Sequence, residues 1–550
     1  MTAAVGAPSA LIPFDRTSRA YQRRWWILAV LCLSLLVIVV DNSILNVALP
    51  NLQDSLHATI SQEQWMVDSY TLVFASLLLT AGTLGDRFGR RGALQFGMIV
   101  FGFGSLLSAF AGTPTHLIFT RALMGVGGAF IMPATLSIIT NTFPPEERGR
   151  AISFWAAIAG VGFALGPISG GLLLSHFYWG SIFLVNLPIV VTALIAGVFL
   201  IPTSKDPSGA KLDVQGALLS IVGLISLVYG IIEAPQDGWT SPKILTAFTI
   251  AAVVLGTFAW WEAHSDHPML DVRFFKNPRF TAASSGITLT FFAMFGSMFL
   301  FTQYFQFVMG YSALQTGVRL LPMAITMLIV APASARIVEF VGTKIVVASG
   351  LLLTSLALFS FAFVPSEHIS YPADVLWRTV LMAFGMALVM APATESIMGS
   401  LPRAKAGVGS AVNDTTRQVG GALGVAVVGS VMTSAYGPAL ASSLERAGVN
   451  ASPANVAQAK QGLGFALQLA AHAPANVQAT IAAAARDAFV TGMHHGVIVA
   501  GFAALIGSAV VVRWLPARAA SEEVFEAQDA AAVAAVEDVA VVPALAAETP

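Results

Sequence analysis

The hexapeptide PATLSI at residues 133–138 returns as PATESI at 392–397, with Glu395 standing where the first copy has Leu136. Both copies lie in long apolar runs, and the correspondence extends on either side. Pro133 pairs with Pro392. Downstream, Pro144 and Gly149 of FPPEERGRA match Pro402 and Gly407 of LPRAKAGVG, 258 residues later. Gly162 and Gly166 match Gly420 and Gly424 at the same offset. Upstream, GTLGDRFGRR (82–91) aligns with ARIVEFVGTK (335–344) at an offset of 253. There Gly89 meets Gly342, Asp86 meets Glu339 and Arg91 meets Lys344. Matches kept in one order are the mark of a duplicated unit rather than of chance.

The composition says where that unit resides. The chain is 56% hydrophobic and only 10% charged, with a mean hydropathy of +0.76. A soluble domain carries roughly 25% charged residues, so this is an integral membrane protein. The net charge of −1 argues against a nucleic-acid partner. Cys32 is the single cysteine, which excludes an intramolecular disulfide. No G-x-x-x-x-G-K-[ST] phosphate loop is present, which argues against ATP hydrolysis. No cofactor or metal is expected, because the lone His494–His495 pair is weak metal evidence. Arg23-Arg24 precedes an apolar run, but the run to about Val47 is too long for a signal peptide and reads as a first span.

A spanning helix needs about 20 apolar residues. Fourteen stretches qualify: 25–47, 64–83, 93–112, 116–140, 150–174, 180–202, 213–232, 243–262, 280–302, 316–336, 344–364, 374–399, 407–435 and 487–515. An offset near 258 covers eight spans, not six. Spans 1–6 therefore repeat as spans 9–14, and spans 7 and 8 are an insert. The expected organisation is an N-terminal segment 1–24, a six-helix bundle 25–202, an insert 203–279, a second bundle 280–515 and a tail 516–550. The fold class is an all-α membrane protein built as a parallel repeat. Segment 437–485 is expected as a mobile or partly helical outside loop, and the tail as disordered or loosely helical. Lys and Arg gather on one side, as in Arg87, Arg90, Arg91, Lys205, Arg336 and Lys344, which places both termini in the cytoplasm.

Within GTLGDRFGRRGAL (82–94), Gly82 and Gly89 permit close helix approach and a tight turn. Asp86 can pair with Arg90 or face a helix N-terminus across an interface. The plainer reading is a positive-inside loop carrying Arg87, Arg90 and Arg91. In span 5, Gly162, Gly166, Gly170 and Gly171 have the spacing of close helix packing, and Pro167 bends the helix. A bent, close interface between the two halves would suit a rocking motion, and static packing is the simpler alternative.

At these residues the chain resembles the major facilitator superfamily, whose inside-loop signature looks like residues 82–94. VDNSILNVALP (40–50), LIFTRALMGVGGA (117–129), GVGFALGPISGG (160–171) and WGSIFLVNLPI (179–189) resemble signatures of its fourteen-helix drug:proton antiporters. The resemblance covers roughly residues 25–515. Ser43 stands where Thr is usual, Met124 where Gln is common, Gly180 where Arg often sits, and Ser153 where the fifth-span pattern has an outlying glycine. The resemblance implies the major facilitator fold, with alternating access between two six-helix bundles and export of amphiphiles in exchange for protons. It also implies a gating latch in which Asp86 reaches the start of span 13 near Gly407, supported by Arg90 and Arg91.

Charges inside a span are costly and mark function. At 1.5 Å per residue, Asp41 lies about 24 Å into span 1. Asp68 and Arg121 lie near the outer ends of spans 2 and 4. The three are expected to share a proton site, with helix-end capping or an interfacial position as the plain alternative. In the second half, Glu395 and Asp414 fall at a shared inner depth, with Arg417 one turn beyond Asp414. Burial there favours a neutral acid and Arg417 an ionised one. That balance suits a proton carrier or a cation's counter-ion, and a structural polar network is the alternative. Glu395 is expected to face the cavity between the bundles rather than lipid. The Phe- and Met-rich GITLTFFAMFGSMFLFTQYFQF (286–307) offers Phe292, Phe295, Phe299 and Gln303 as an adaptable substrate wall, unless they face lipid. Glu233 and Trp239 read as interfacial.

The leading reading is a proton-coupled exporter of hydrophobic or amphiphilic drugs in a bacterial plasma membrane. Its partners are a small amphiphilic substrate, protons and the bilayer, and the sequence indicates no oligomeric state. One charge crossing 100 mV supplies about 2.3 kcal/mol. The rivals are a dedicated exporter of a metabolite, natural product or lipid, and a non-transporting sensor or scaffold. Acids kept within the spans speak against the last. No nucleophile–base spacing or metal set points to an enzyme.

Overall fold

Helix after helix ends on polar or glycine punctuation, and the computed structural model follows that punctuation. It describes residues 18–517 except 57, 59, 206–212, 266–267, 269, 271, 402–404, 447–455, 457–458 and 461. The expected tail, Pro402 and most of the N-terminal segment lie outside the described residues. Among the described residues, fourteen helices are long and apolar enough to cross a membrane, and none of the chain is in strands. The first six are α1 (Arg24–Leu56), α2 (Ile60–Phe88), α3 (Arg90–Ala109), α4 (Pro114–Thr142), α5 (Pro145–His176) and α6 (Ser181–Leu200). Two more, α7 (Val214–Asp237) and α8 (Pro242–His264), precede the last six. These are α9 (Pro278–Gln303), α10 (Ala313–Val341), α11 (Thr343–Phe361), α12 (Trp377–Met398), α13 (Ala406–Arg446) and α14 (Ala475–Trp514).

Local chemistry sets several boundaries. Thr113 caps α4 by accepting from the His116 N–H, with Pro114 in the first turn. Ser241 and Pro242 open α8 in the same way. Ser312 and Gln315 form a capping box at the start of α10. The break between α2 and α3 falls at Gly89, with φ of +119°, and that between α10 and α11 at Gly342, with φ of +84°. Both conformations are disfavoured for a residue with a Cβ. The two glycines are repeat mates, so the duplication preserves a backbone turn as well as a sequence.

Helices α1–α6 pack among themselves, as do α9–α14. The mated glycines do the same work in each half. A Cβ on Gly162 would lie 2.9 Å from Val39, and one on Gly166 would strike the Ser43 hydroxyl, so α5 packs closely on α1. Gly420 and Gly424 bring α13 equally close to the carbonyls of Thr288 and Phe292 on α9. This corrects the expectation that Gly162 and Gly166 form the interface between halves. Residues four apart share one helical face, and theirs is turned inward to α1. The face toward the other half carries Gly160 against Met327, Pro167 against Gly317, and Gly171 against Leu314, all on α10. Gly170 is buried within α5, which continues unbroken through Pro167.

The inserted pair lies across a seam between the halves. Helix α7 meets α2 through Tyr229 on Trp65, 6.2 Å between ring centroids. Just beyond α7, the Trp239 indole donates to Ser430 Oγ of α13 at 3.0 Å. Segment 437–485 is helical over much of its described length, the second of the two forms expected for it. Helix α13 runs 41 residues to Arg446, and α14 begins at Ala475. At 1.5 Å per residue each is about 60 Å long, twice the ~30 Å hydrocarbon core. A further short helix, Leu463–His472, lies between them. The segment is rich in alanine, the best helix former, and Arg486 Nε ties it to the Phe307 carbonyl at 3.1 Å.

Candidate coupling site and inner gate

Asp86 occupies the last turn of α2, where the chain turns at Gly89. Its Oδ1 accepts from Arg90 Nε at 2.7 Å. Its Oδ2 accepts from the Gly407 and Val408 N–H groups, at 2.8 and 3.2 Å, at the start of α13. A carboxylate at a helix N-terminus meets unpaired donors and the positive end of the helix dipole. The contact joins the two halves. Ser137, from the first PAT motif, adds a hydroxyl 3.4 Å from Oδ1. The approach needs glycine for size: a Cβ on Gly82 would lie 2.6 Å from the Gly407 carbonyl oxygen. Arg91 does not support the latch. It reaches instead to the Ile201 carbonyl at 3.4 Å, at the end of α6, because it faces away from Arg90 on the first turn of α3. Arg87 lies over the ring of its neighbour Phe88.

In the first half, Asp41 of α1 and Arg121 of α4 form an ion pair with both side chains fully buried. Asn186 Nδ2 of α6 donates to Asp41 Oδ1 at 2.9 Å and stands 3.1 Å from Ser105 Oγ. Arg121 Nε donates to the Met66 carbonyl at 3.2 Å, and its guanidinium lies over the Tyr70 ring. Met124 offers its sulfur to Ser108 at 3.6 Å and to Arg121 at 3.8 Å, a weak acceptor where the family pattern has an amide. Asp68 is not part of this site. Met66 and Tyr70, four apart, turn toward Arg121, and Asp68 lies about 200° round the helix from Met66. It faces the insert with Trp65, and Glu233 of α7 is its charged neighbour. Glu233 in turn stands 3.4 Å from Lys243.

In the second half, Glu395 and Asp414 are separated. Asp414 is fully buried and lies 3.8 Å from Arg417 Nη1. Arg417 Nη2 donates to Thr394 Oγ1 at 2.8 Å. Glu395, one residue further along α12, turns instead to the start of α5, with Arg148 and Arg279 as cationic neighbours and Glu339 as an acidic one. It faces the other half, as expected, against Gly149, and it also lines a cavity with Arg279, Glu339 and Thr343 of its own half. A Cβ on Gly149 would stand 2.5 Å from Glu395 Oε2. The obstacle is the far end of a flexible side chain, so Gly149→Ala is expected to displace the Glu395 carboxylate and leave the seam closed. Labelling of a cysteine placed beside it should change by less than about threefold, below the ~1–3 kcal/mol of overpacking against a fixed neighbour, and a larger rise would show that the Glu395 carboxylate is held rigidly.

The four residues expected as a substrate wall share one face of α9, and its phenylalanines are turned to α13. Phe292 sets its backbone against Gly424, Phe295 leans on Gly421 and Phe299 on Gly429, while Gln303 is half-buried at the helix end. The ring that meets a candidate coupling residue is Phe291, 5.2 Å from the Arg417 guanidinium. Sequence reasoning passed over Phe291, Asn186, Trp155 and Thr394. Asn186 was inside the quoted WGSIFLVNLPI stretch, and Thr394 inside PATESI itself.

Comparison with known proteins follows the same lines. Residues 31–425 match the family profile described as Major Facilitator Superfamily. The chain is 33% identical over 500 residues to the multidrug efflux pump LfrA of Mycolicibacterium smegmatis, covering 90% of this chain and 97% of that one. It is 31% identical to the tetracenomycin C resistance and export protein of Streptomyces glaucescens, over 89% and 91% of the two chains. It is 32% identical to the methyl viologen resistance protein SmvA of Salmonella typhimurium, over 85% and 93%. Among solved structures, the human organic anion transporter MFSD10 aligns with a TM-score of 0.59 at 14% identity, over 89% of this chain and 99% of that one. A bacterial homolog of the human lysosomal transporter Spinster aligns with a TM-score of 0.55 at 17% identity, over 92% and 100%.

Proposed function

Because the chain belongs to the major facilitator superfamily, we propose that it is a proton-coupled antiporter that exports hydrophobic or amphiphilic drugs by alternating access. It would reside in a bacterial plasma membrane with both termini in the cytoplasm. The relatives named for multidrug efflux and for resistance support the drug class. The observation that carries the coupling is the pair of fully buried acids, Asp41 and Asp414, each beside an arginine. A buried ion pair is a poor source of stability, and an ionisable residue within a span reads as function.

In this reading Asp41 and Arg121 form the outer proton site and Asp414 and Arg417 the inner one. Asp86, held on α13, latches the inner gate. The inner ends of the halves are joined here, so the central path is shut toward the cytoplasm. A proton taken by one acid removes a charge from its arginine's field, and the arginine must then find other partners. That rearrangement links proton binding to the positions of the halves. A second reading, export of one natural product, is favoured by the tetracenomycin C relative. The test uses the purified protein in liposomes under an imposed pH gradient. Uptake of several unrelated cationic dyes supports the first reading. Uptake restricted to one compound among many supports the second, and none driven by the gradient contradicts both.

A further inference from the structure

Trp155 of α5 is fully buried, and its indole N–H donates to Thr135 Oγ1 at 3.1 Å. Across the seam, the Arg417 guanidinium lies 5.0 Å from the centre of the Trp155 ring and donates to Thr394 Oγ1. Thr135 and Thr394 are the same position of PATLSI and PATESI. The mate of Trp155 at 258 residues is Asn413, which accepts from Thr394 at 3.4 Å and donates to Asp414 Oδ1 at 3.2 Å. So each half uses the threonine of its PAT motif to hold a group on its fifth helix. One half presents an aromatic face, and the other presents a cation to it. Trp155 lies ten residues into α5 and Arg417 eleven into α13, about 15 Å from the inner ends of both helices. The contact therefore crosses near mid-membrane, deeper than the Asp86 latch.

The ion pair beside it is incomplete. Asp414 and Arg417 stand 3.8 Å apart, beyond hydrogen-bonding distance. Arg417 Nε is buried and completes no hydrogen bond, and Asp414 Oδ2 is left to the Ser410 hydroxyl beside it rather than to the guanidinium. Buried groups left this way call for a reason. The groups packed around Asp414 are Arg417, Asn413 and Ser410 on α13 and Thr394 on α12, while α5 and α9 contribute the Trp155 and Phe291 rings to Arg417. Arg417 is the charged group among them. It is shared between a carboxylate in its own half and an indole in the other. An ionised Asp414 draws the guanidinium toward itself, and a protonated one releases it to the ring.

We propose that Trp155 is a positioning residue for proton coupling, holding Arg417 across the seam when Asp414 is protonated and yielding it when Asp414 ionises. This rests on the reading of Asp414 as the inner proton site. The consequence is directional: proton binding at Asp414 strengthens the contact between halves in the inner-closed state, and proton release weakens it.

The test uses the full chain in liposomes with ethidium as the probe. Gradient-driven uptake, downhill flux without a gradient, and binding are measured together. Trp155→Leu is expected to lower driven uptake about tenfold, the scale of a desolvated cation–π contact. Binding and downhill flux should stay within about twofold, because the pathway is intact. Trp155→Phe keeps a ring face and should recover driven uptake to within about threefold of the wild type. Equal loss of binding and drive in Trp155→Leu would make the indole a pocket wall and overturn the proposal. So would normal driven uptake in Trp155→Leu. If the leucine variant fails to fold, Trp155→Met takes its place as a ringless side chain: a selective loss of drive there, recovered in Trp155→Phe, supports the proposal, and unchanged drive overturns it. Asp414→Asn is run alongside. Normal driven uptake in that variant defeats the underlying reading, whereas an inactive Asp414→Asn beside an unaffected Trp155→Leu defeats the Trp155 proposal alone.

Discussion

Asp41→Asn is expected to abolish gradient-driven transport, by a hundredfold or more, and to destabilise the folded protein. The ion pair to Arg121 is fully buried, and α6 supplies Asn186 to the same carboxylate. An asparagine fills nearly the same volume and keeps a hydrogen-bonding oxygen. It leaves the Arg121 charge uncompensated in a site shut off from water. Removing one partner of a buried pair costs about 3–5 kcal/mol, which thermal unfolding in detergent would register as a clear fall in midpoint. The double variant Asp41→Asn with Arg121→Met separates the two effects. It removes the stranded charge, so the unfolding midpoint should largely return. Driven transport should not, because the outer site keeps no group to bind the proton. Recovery of both would make the pair a structural device only.

Gly407→Ala is the second large effect, and it acts on the gate. A methyl group there would lie 2.6 Å from both the Asp86 carboxyl carbon and the Gly82 carbonyl oxygen. One obstacle is backbone, so a side-chain shift does not relieve it. Overpacking of this kind costs about 1–3 kcal/mol, and each ~1.4 kcal/mol is a factor of ten in an equilibrium. The inner-closed population should fall ten- to a hundredfold or so, and export should fall with it. Labelling of a cysteine in the inner cavity from the cytoplasmic side should rise correspondingly. Substrate binding should persist, because the change is confined to the latch. Unchanged labelling with normal export would show that Asp86 and Gly407 do not govern closure.

Much of this architecture was legible in the residues, and the reasons differ by feature. Span number follows from apolar length, which the bilayer imposes. The duplication was legible because its glycines and prolines are held by backbone geometry: Gly89 and Gly342 sit at the same positive-φ turn, and Gly162 and Gly420 at the same close packing. Depth was also legible, since a helix rises 1.5 Å per residue. Rotation about the helix axis was not. Asp68 has the right depth to join Asp41, yet it turns to the insert. Glu395 has nearly the depth of Asp414, yet it turns to Gly149. A helix packed on several sides presents more than one buried face, so depth alone leaves open which neighbour Asp68 on α2 or Glu395 on α12 meets. The Trp155–Arg417 contact was hidden for a further reason: it depends on how the halves close on one another, which neither half's sequence states. The extension of α13 and α14 beyond their apolar spans was left open between mobile and partly helical, because hydropathy does not distinguish the two in alanine-rich segments with scattered polar residues.

The question of Glu395 that the repeat raises also has a structural answer. Leu136, its mate, is a fully buried apolar side chain, whereas Glu395 meets the α5 of the other half beside Arg148. The second copy thus meets α5 of the other half at two depths: Thr394 holds Arg417 against Trp155, and Glu395 stands against Gly149.

The most direct test of the central claim is proton movement driven by substrate alone. Liposomes holding the protein and a trapped pH indicator are clamped at zero membrane potential, with equal pH on both sides, and ethidium is added outside. Proton-coupled antiport predicts that ethidium entry drives protons outward at a fixed ratio, raising the internal pH, and that Asp41→Asn and Asp414→Asn abolish the response. Ethidium entering at the full protein-dependent rate with no change in internal pH would contradict it.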